Sequence, residues 1–493
     1  MLRFRPVVGV VVVALVAGTS ACTVSGAPLG PRWQRPNVVV LMTDDQTAAS
    51  LSVMPHVRSA LVAKGTTFDH HFAGYPLCCP ARATYLTGQY SHNHHVTYND
   101  GLTGGYHALR GRGAVLPVAL RRAGYTTIHI GKYLNGYGLL HPRDVPPGWD
   151  DWHASVDPST YQYYDFTLNH NGRLERYDHA EYQTDLYASL ASVAIRREAH
   201  RHHAFFLNVA FLAPHAVVRE TSGLDPIDER AAGPARRRHG IRYPVPERRD
   251  RHAFDGTPLP DGAAFGEADV SDKPLNIRLR PTFTLAEDGQ IERNYRLRLA
   301  TLLSVDRAVA AIVHTLAVTH QLRNTYIVFV SDNGFFHGEH RVPFGKYLPY
   351  EPSIHVPLVV RGPGVRQNAR TDALTADVDL PATILDVTGA RPPRRLDGRS
   401  LRPLLERPRP HWPRRAVLLE SGANSVGAPV YAGLRSQRWK YVAYDDGERE
   451  LYDLRHDPEE LQNLAGRPEV RGVEHRMARE LAAERHCRGR SCP

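Results

Sequence analysis

Five apolar runs recur along the first three quarters of the chain, and each ends in a polar or glycine-containing turn. They are NVVVL from Asn37, TTIHI from Thr126, AFFLNVAFL from Ala204, NTYIVFV from Asn324 and VPLVV from Val356. Continuous runs of this kind are typical of strands buried on both faces, as in a parallel sheet. Between runs, apolar residues recur at threes and fours, for example from Asn294 to Thr319. The alternation predicts an α/β fold with a large, mostly parallel sheet between helices.

The last fifth of the chain has a different pattern. After about Pro410 the short runs AVLLE, YAGLR, KYVAYDD and ELYDL follow closely, and a helical segment ends the chain. Short strands in close succession are typical of antiparallel sheets. We therefore predict a main domain over residues 36–405 and a small antiparallel α+β domain over residues 410–493.

Residues from about 219 to 288 show little periodicity and are rich in Arg, Pro, Asp and Gly. A long segment of this kind is usually a functional loop or a linker. We predict an insertion over the strand ends, whose arginines either bind a polyanion or form a solvated loop. These arginines are Arg236, Arg237, Arg238, Arg248, Arg249 and Arg251.

The first 22 residues have the pattern of an export signal. Two arginines precede an apolar stretch from Val7 to Ala17, and small residues then lead to Cys22. The stretch is short for a membrane span, and no later segment is expected to cross a membrane. The pattern fits a lipoprotein signal with a lipid anchor at Cys22 as well as simple secretion, so we expect an exported protein, extracellular or at the cell surface.

The composition indicates a globular protein with anionic partners. Hydrophobic residues make up 42% and charged residues 23% of the 493 residues, which argues against disorder. The net charge of +10 favours nucleic acid, acidic glycans or an anionic surface as partners. Most of the basic charge is arginine, so Lys132 and Lys346, which lie within motifs, stand out as compact amines.

The five cysteines fall into three groups. Cys22 belongs to the export signal, and Cys487 and Cys492 near the C-terminus could pair in an oxidising compartment. Cys78 and Cys79 are adjacent, and a disulfide between neighbours is strained. These two cysteines therefore need another explanation.

Polar residues follow several predicted strands directly. In open α/β sheets, ligands bind at the carboxyl ends of the strands. The oxygen-bearing residues are Asp44, Asp45, Asp332 and Asn333. Asp44-Asp45 alone could be a turn or a helix cap. Paired with a second strand end of the same kind, they predict a site for Ca²⁺ or Mg²⁺.

A cysteine motif lies between Pro76 and Gly88, in the sequence PLCCPARATYLTG. Pro80 suits the first turn of a helix and Gly88 its end, which places Cys78 at the helix N-terminus, where backbone N–H groups favour an anion. Arg82 lies one turn further on the same face and can donate two hydrogen bonds to sulfate or phosphate. The alternative is an ordinary buried cysteine before a helix.

The Cys-x-Pro-x-Arg pattern at Cys78 resembles the first signature of the sulfatase family, and GYTTIHIGKY from Gly124 resembles the second. Further landmarks follow in family order between residues 36 and 466. They are Thr43-Asp44-Asp45, Ala213-Pro214-His215, Ser331-Asp332-Asn333-Gly334, Gly345-Lys346, Tyr350-Glu351, and the stretch from Glu450 through Asp457-Pro458 to Asn463-Leu464. The resemblance implies an alkaline phosphatase-like fold and hydrolysis of sulfate esters.

The resemblance also implies a mechanism. A separate formylglycine-generating enzyme would oxidise Cys78 to formylglycine, whose hydrate attacks sulfur beside Ca²⁺, with Mg²⁺ as the alternative ion. The implied catalytic residues are Cys78, Arg82, Lys132, His215 and Lys346. The implied metal ligands are Asp44, Asp45, Cys78, Asp332 and Asn333. Among these, Asp332 is the candidate to activate the nucleophile, and His215 and Lys346 to protonate the leaving alcohol.

One position departs from the family pattern. Many sulfatases have a histidine two residues after the lysine that matches Lys132, where this chain has Leu134. The segments GKYLNGYG, GQYSHNHHV and PPGWDDW instead resemble the N-acetylglucosamine-6-sulfatase branch, which suggests 6-O-sulfated N-acetylglucosamine of glycans, or aryl sulfates, as substrates. His94, His95 and His337 are candidates for the missing proton transfer, or else belong to loops and packing.

Two other functions fit parts of the pattern. A phosphomonoesterase or phosphonate hydrolase of the same superfamily would share the fold and the metal ligands, so only the Cys78 motif argues for sulfate. A catalytically inert surface lipoprotein that binds sulfated glycans would keep the scaffold alone. The resemblance gives nucleic acid no role and limits membrane contact to an anchor at Cys22.

Overall fold

A ten-stranded sheet organises the computed structural model, which describes Leu2 and residues 35–217, 243–260, 262–422 and 427–492. From edge to edge its strands are β11 (Ala369–Thr371), β2 (Thr66–Phe68), β10 (Leu358–Arg361), β9 (Thr325–Ser331), β1 (Asn37–Thr43), β8 (Phe205–Ala210), β4 (Thr126–Gly131), β5 (Asp151–Ser155), β6 (Phe166–His170) and β7 (Arg173–Tyr177). Strands β9, β1, β8, β4 and β5 run parallel. This confirms the predicted mostly parallel sheet.

One predicted strand runs in the opposite direction. The run at Val356, expected among the parallel strands, forms β10, which is antiparallel to both β9 and β2. The chain between β9 and β10 stays at the edge where β9 ends, so β10 starts there and runs back. A continuous apolar run shows burial on both faces and carries no information on strand direction.

Helices pack on both faces of the sheet. The α-helices are α1 (Pro55–Ala60), α2 (Cys78–Thr87), α3 (Ser91–His94), α4 (Gly105–Ala108), α5 (Leu116–Arg122), α6 (Gln183–Arg201), α7 (Leu275–Arg278), α8 (Leu285–Val318), α9 (Glu351–Ile354), α10 (Asp379–Thr388), α11 (Arg402–Glu406) and α12 (Arg471–Glu484). Short 3-10 helices cover Ala48–Val53, Val62–Lys64, Arg112–Ala114, Ser159–Tyr161, Arg248–Asp250, Leu322–Asn324, Pro468–Val470 and Gly489–Ser491.

Alternate residues of the central strands enter two separate hydrophobic cores. On β1, Val38 and Val40 pack on the face covered by α2, α5 and α10. Val39 and Leu41 pack on the opposite face, against α1, α6 and α8. Because successive side chains of a strand point to opposite faces, a run that is apolar throughout requires cover on both sides.

The long helix α8 begins earlier than its predicted start at Asn294. Thr284 and Glu287 form a capping box, and the helix runs from Leu285, inside the stretch assigned to the insertion. Its early turns are polar, so the spacing of apolar residues does not reveal them. The Thr284 and Glu287 capping pair does mark the start of the helix. The helix is long and apolar enough to span a membrane by composition, but more than half of its most apolar window is buried in the protein, which is typical of a core helix.

A four-stranded antiparallel sheet lies near the C-terminus, as predicted. Its strands, in order, are β13 (Ala416–Glu420), β14 (Tyr431–Ser436), β15 (Trp439–Tyr444) and β16 (Arg449–Asp453). Helix α12 packs on it, and a disulfide joins Cys487 to Cys492, as their positions suggested. A further two-stranded sheet pairs β3 (His71–Phe72) with β12 (Thr375–Ala376).

The predicted domain boundaries stay predictions, because the described chain from Arg35 onward forms one compact unit. Cys22 and nearly all of the predicted export signal lie outside the described residues. So do Arg236, Arg237 and Arg238 of the predicted insertion.

Candidate active site

Four adjacent parallel strands end at one edge of the sheet and bring the predicted site residues together. In spatial order, β9 leads to Asp332 and Asn333, β1 to Asp44 and Asp45, and β8 to a turn ending at His215, while β4 leads to Lys132. The turn after β8 stays beside β1, because the Asp44 N–H donates to the Ala213 carbonyl at 3.3 Å.

A glycine lets β4 approach β8 closely just before Lys132. Gly131 has a φ of +100°, and a Cβ there would lie 2.1 Å from the carbonyl oxygen of Ala210. Only glycine fits such a position. The close approach brings the Lys132 N–H to the same carbonyl, at 2.9 Å.

Helix α2 presents Cys78 as its first residue, as the motif predicted. Leu77 precedes the helix in an extended conformation, and the helix ends at Gly88, whose φ of +69° is the left-handed conformation common at helix ends. Pro80 lies in the first turn, where a missing N–H costs no intrahelical hydrogen bond. The N–H groups that follow position 78 are occupied, because the Cys79 N–H donates to Asn99 Oδ1 at 2.9 Å and the Ala81 N–H donates to the Leu77 carbonyl at 3.0 Å.

The Cys78 thiol lies between carboxylates and an amine. Its Sγ is 3.3 Å from Asp44 Oδ1 and 4.0 Å from Asp45 Oδ1. Lys346 Nζ lies 2.9 Å from the same sulfur and donates to Asp45 Oδ1 at 2.5 Å. Position 78 therefore lies between the carboxylates at the end of β1 and the loop that carries Lys346.

Arg82 and Lys132 complete the cluster. Arg82 Nε donates to Asp332 Oδ2 at 2.7 Å, and Nη2 lies 3.4 Å from Asp44 Oδ2. Lys132 Nζ donates to that Asp44 oxygen at 2.5 Å. Three carboxylates therefore face three basic side chains within one network.

All nine predicted site residues belong to this cluster, and none is more than 3% exposed. They are Asp44, Asp45, Cys78, Arg82, Lys132, His215, Asp332, Asn333 and Lys346. Burial of this many charges is tolerable only when they pair with one another or with an ion.

Pairing, more than burial, controls the ionisation of Asp44. Burial opposes its charged form, but the charges of Lys132, His215 and Arg82 outweigh that effect and hold the pKa of Asp44 well below its usual value. Asp44 is therefore a fixed negative charge in the centre of the cluster.

The pKa values of Asp332 and Cys78 shift in the opposite direction to that of Asp44. Burial, reinforced by the charge of Asp44, raises the pKa of Asp332 to about 6. The same two causes raise the pKa of the Cys78 thiol well above its ordinary value. A cysteine nucleophile needs a lowered pKa to form its thiolate, so unmodified Cys78 does not have the properties of a nucleophile.

The loop that carries Lys346 is held from both sides. Next to it, the Tyr347 N–H donates to the Pro76 carbonyl at 3.0 Å, which links the loop to the start of α2. From the small sheet, the Tyr431 hydroxyl donates to the Tyr347 carbonyl at 2.5 Å, and Lys440 Nζ donates to the Pro349 carbonyl at 2.7 Å. The C-terminal sheet thus positions one of the cluster's bases.

The residues present fit a divalent cation. Ligand atoms of Asp44, Asp45, Cys78 and His215 lie within 4.8 Å of one another. Asn333 Nδ2 donates to Asp45 Oδ1 at 2.7 Å, while its Oδ1 is buried and accepts no hydrogen bond from the part of the chain that the structure describes. An orphaned amide oxygen beside carboxylates is the type of donor that a hard cation binds.

Leu134, at the position that departs from the family pattern, is buried in the hydrophobic core beneath α2 and α5. Of the three candidate histidines, His94 bonds Thr84 Oγ1 at 3.0 Å and the Val96 N–H at 3.1 Å, so both its ring nitrogens have structural partners. His95 is exposed. The buried His337 packs against aromatic rings, and its Nε2 has no hydrogen-bond partner among the described residues, so it stays a candidate.

Two side chains of the site were not predicted. Arg298 of α8 is buried, donates to the Asp45 carbonyl and lies 3.7 Å from the centre of the Phe335 ring. The Tyr161 ring lies 4.7 Å from Lys132 Nζ and 5.2 Å from the His215 ring. Helix α8 carries four arginines, Arg293, Arg296, Arg298 and Arg307, so the sequence does not single out Arg298. The sequence around Tyr161 has no pattern that marks it either.

The chain is similar in sequence to known proteins. A family model described as Sulfatase matches residues 36–390, and one described as N-sulphoglucosamine sulphohydrolase, C-terminal, matches residues 338–487. The chain is 32% identical to an arylsulfatase of Volvox carteri, over 98% of this chain and 78% of that protein. It is 31% identical to the N-acetylglucosamine-6-sulfatase of Homo sapiens, over 95% of this chain and 87% of that protein.

The fold is also found among solved structures. A protein solved in complex with its substrate D-glucosamine-2-N,6-O-disulfate superposes with a TM-score of 0.75 and 24% identity, over 91% of this chain and 97% of that one. At this identity the likeness shows the fold alone. It confirms the predicted architecture, with its large mixed sheet and small C-terminal antiparallel sheet.

Proposed function

This chain belongs to the sulfatase family and hydrolyses sulfate esters, and we propose that it does so with a formylglycine at position 78 beside a bound Ca²⁺. The observation that carries the proposal is the placement of Cys78. Its side chain lies at the first turn of α2, between Asp44 and Lys346. Hydroxyl groups at that position would have both a carboxylate and an amine within hydrogen-bond distance.

The raised pKa of the thiol supports the modification. A buried, protonated cysteine is a poor nucleophile, and a cysteine that attacked sulfur would have no second group to release the sulfate. Formylglycine at position 78 would supply a hydrated aldehyde, of which one hydroxyl attacks sulfur and the other then loses its proton to expel sulfate and restore the aldehyde.

The chain's own residues handle the protons. Asp332, whose pKa is about 6, is placed by Arg82 and is our candidate to accept the proton of the attacking hydroxyl. His215 Nδ1 donates to the Ala216 carbonyl at 2.6 Å, which leaves Nε2 directed at the cluster. Lys346 Nζ, and His215 Nε2 when the ring carries a second proton, are then the donors for the leaving alcohol, whose oxygen takes up one proton as its bond to sulfur breaks.

Arg82 and Lys132 would hold the sulfate oxygens. Both are buried and point at Asp44, so their charges are available in a medium that screens them weakly. Three carboxylates and three bases are close to neutral together, so the cluster gains affinity for an anion once a divalent cation is bound. Asp44, Asp45, Asp332 and Asn333, with position 78, would hold that cation.

The proposed substrate is 6-O-sulfated N-acetylglucosamine of glycans. Its support is the similarity to the human N-acetylglucosamine-6-sulfatase across nearly the whole chain, together with the net charge of +10, which raises the local concentration of a polyanion. We also propose export, because the first 22 residues have the pattern of a signal and the Cys487–Cys492 disulfide suits an oxidising compartment.

Mass spectrometry of the tryptic peptide from Gly65 to Arg82, which contains both adjacent cysteines, tests the modification. In protein from the native host, this peptide should be lighter than its unmodified sequence by the mass difference between a cysteine thiol and an aldehyde. Position 78 should also react with hydrazide. Cys79 is the internal control and should still be alkylated as a thiol. Fully active protein with two intact thiols in this peptide would contradict the formylglycine mechanism.

Metal removal tests the ligand assignment. Chelation should abolish turnover and lower the melting temperature, because the buried carboxylates lose their counter-charge. Ca²⁺ should restore both, and Mg²⁺ should restore them less well. Asp44→Asn and Asp332→Asn should lose the Ca²⁺-dependent thermal shift, whereas Asp386→Asn, an exposed control, should keep it. Normal calcium binding by either cluster variant would show that residue is not a ligand.

Substrate choice is tested by assaying N-acetylglucosamine 6-sulfate, a 6-O-sulfated heparan disaccharide, an aryl sulfate and an aryl phosphate side by side. We expect the saccharides to be desulfated and the aryl phosphate to be the poorest substrate. Activity confined to the aryl sulfate would contradict the glycan assignment, and faster turnover of the phosphate would favour the phosphomonoesterase alternative.

A further inference from the structure

A cavity opens along the early turns of α8. It has a volume of about 660 Å³, which is within the range of small-molecule sites. One wall is the segment from Tyr243 to Asp255, and the other is an early part of α8. Its lining includes Tyr243, Arg251, His252, Phe254, Arg293 and Leu297.

Both walls continue directly into the catalytic cluster. The Val217 N–H, two residues after His215, donates to the Tyr243 carbonyl at 3.3 Å. On the other wall, Leu297 precedes Arg298, which donates to the Asp45 carbonyl. At a rise of about 1.5 Å per residue, Arg293 lies roughly 7–8 Å along the helix from Arg298. Both walls therefore bring the cavity to within a few residues of the cluster along the chain.

The wall opposite α8 is held in place. Buried Asp250 accepts a hydrogen bond from Arg307 Nη1 at 2.9 Å and one from Ser304 Oγ at 3.2 Å, both from α8. The Tyr182 hydroxyl donates to the Val245 carbonyl at 3.0 Å. The cavity is thus preformed, which reduces the entropy cost of binding a ligand.

The charged side chains of the cavity differ in whether they already have a partner within the protein. Arg296 is bound to the Thr257 carbonyl and to Glu292, and the lining carboxylate Asp255 pairs with His252 at 2.8 Å. Arg251 and Arg293 are exposed, and no carboxylate of the described chain pairs with them. These two guanidinium groups are therefore available to bind an anion.

The apolar part of the lining suits a sugar ring. The Arg293 guanidinium lies 5.1 Å from the centre of the Tyr243 ring, and the Phe254 ring also borders the cavity. Aromatic faces next to bidentate donors match a ligand with both a ring face and an anionic substituent. Of Arg248, Arg249 and Arg251, which the structure describes, Arg251 lines this cavity, while Arg249 pairs with Asp185 and Glu247.

We propose that Arg251 and Arg293 bind an anionic group, sulfate or carboxylate, of the saccharide unit next to the one that is desulfated. The inference rests on the proposed glycan substrate. It makes the cavity a determinant of chain-length specificity, since a monosaccharide or an aryl sulfate has no neighbouring unit to place there.

The test compares Arg251→Ala, Arg293→Ala and the double variant with Arg248→Ala. Arg248 is exposed on the same segment and does not line the cavity. Its replacement removes one positive charge, as each single variant does, so it controls the single variants for general electrostatic capture. The double variant should raise KM for a 6-O-sulfated heparan disaccharide on the order of tenfold, as expected for lost charge-assisted hydrogen bonds. Its kcat, and its kcat/KM on N-acetylglucosamine 6-sulfate and an aryl sulfate, should stay unchanged, and Arg248→Ala should match the wild type.

Two results would overturn the inference. An unchanged KM in the double variant, or an equal rise in Arg248→Ala, would leave the cavity without a role while the glycan assignment stands. Failure of the wild type to desulfate the disaccharide would instead contradict the proposed substrate. Disaccharides with and without a sulfate on the neighbouring unit then separate sulfate from carboxylate as the bound group.

Discussion

Charge pairing away from water is the constraint on which the rest of this structure depends. Asp44, Asp45 and Asp332 are buried at the ends of two adjacent strands, and alone they would repel one another strongly. Arg82, Lys132 and Lys346 compensate them, and each comes from a different part of the chain. The fold holds these groups together because none of them is stable there without the others.

This requirement explains why such distant parts of the chain are coupled. Lys346 reaches Asp45 only because its loop is fixed on one side to Pro76 and on the other to the C-terminal sheet. The buried carboxylate of Glu450 in that sheet accepts hydrogen bonds at 2.5 to 2.7 Å from Tyr444 and Tyr452 of the sheet and from Tyr350, which precedes α9. The small sheet therefore contributes to the site by rigidity, although none of the predicted site residues lies on it.

Sequence alone predicted most of the site, for a physical reason. Parallel strands end at one edge, so the polar residues that directly follow them converge, as Asp44, Asp45, Asp332 and Asn333 do. Cys78 and Arg82 on α2 and Lys346 on its loop were instead predicted from the family resemblance. Sequence missed Tyr161 and Arg298, because their roles depend on which surfaces pack together. It also missed the direction of β10, since burial on both faces is the same for either direction, and the cavity beside α8, which exists only when two distant segments meet.

Turnover of an aryl sulfate by Cys78→Ala and by Cys79→Ala tests the central claim most directly. The two residues are adjacent, equally buried and of one chemical type, but only the first faces the charged cluster. Loss of the reacting group should lower kcat by roughly a thousandfold or more in Cys78→Ala. Cys79→Ala should keep kcat near the wild-type value. Retained turnover in Cys78→Ala would contradict this account.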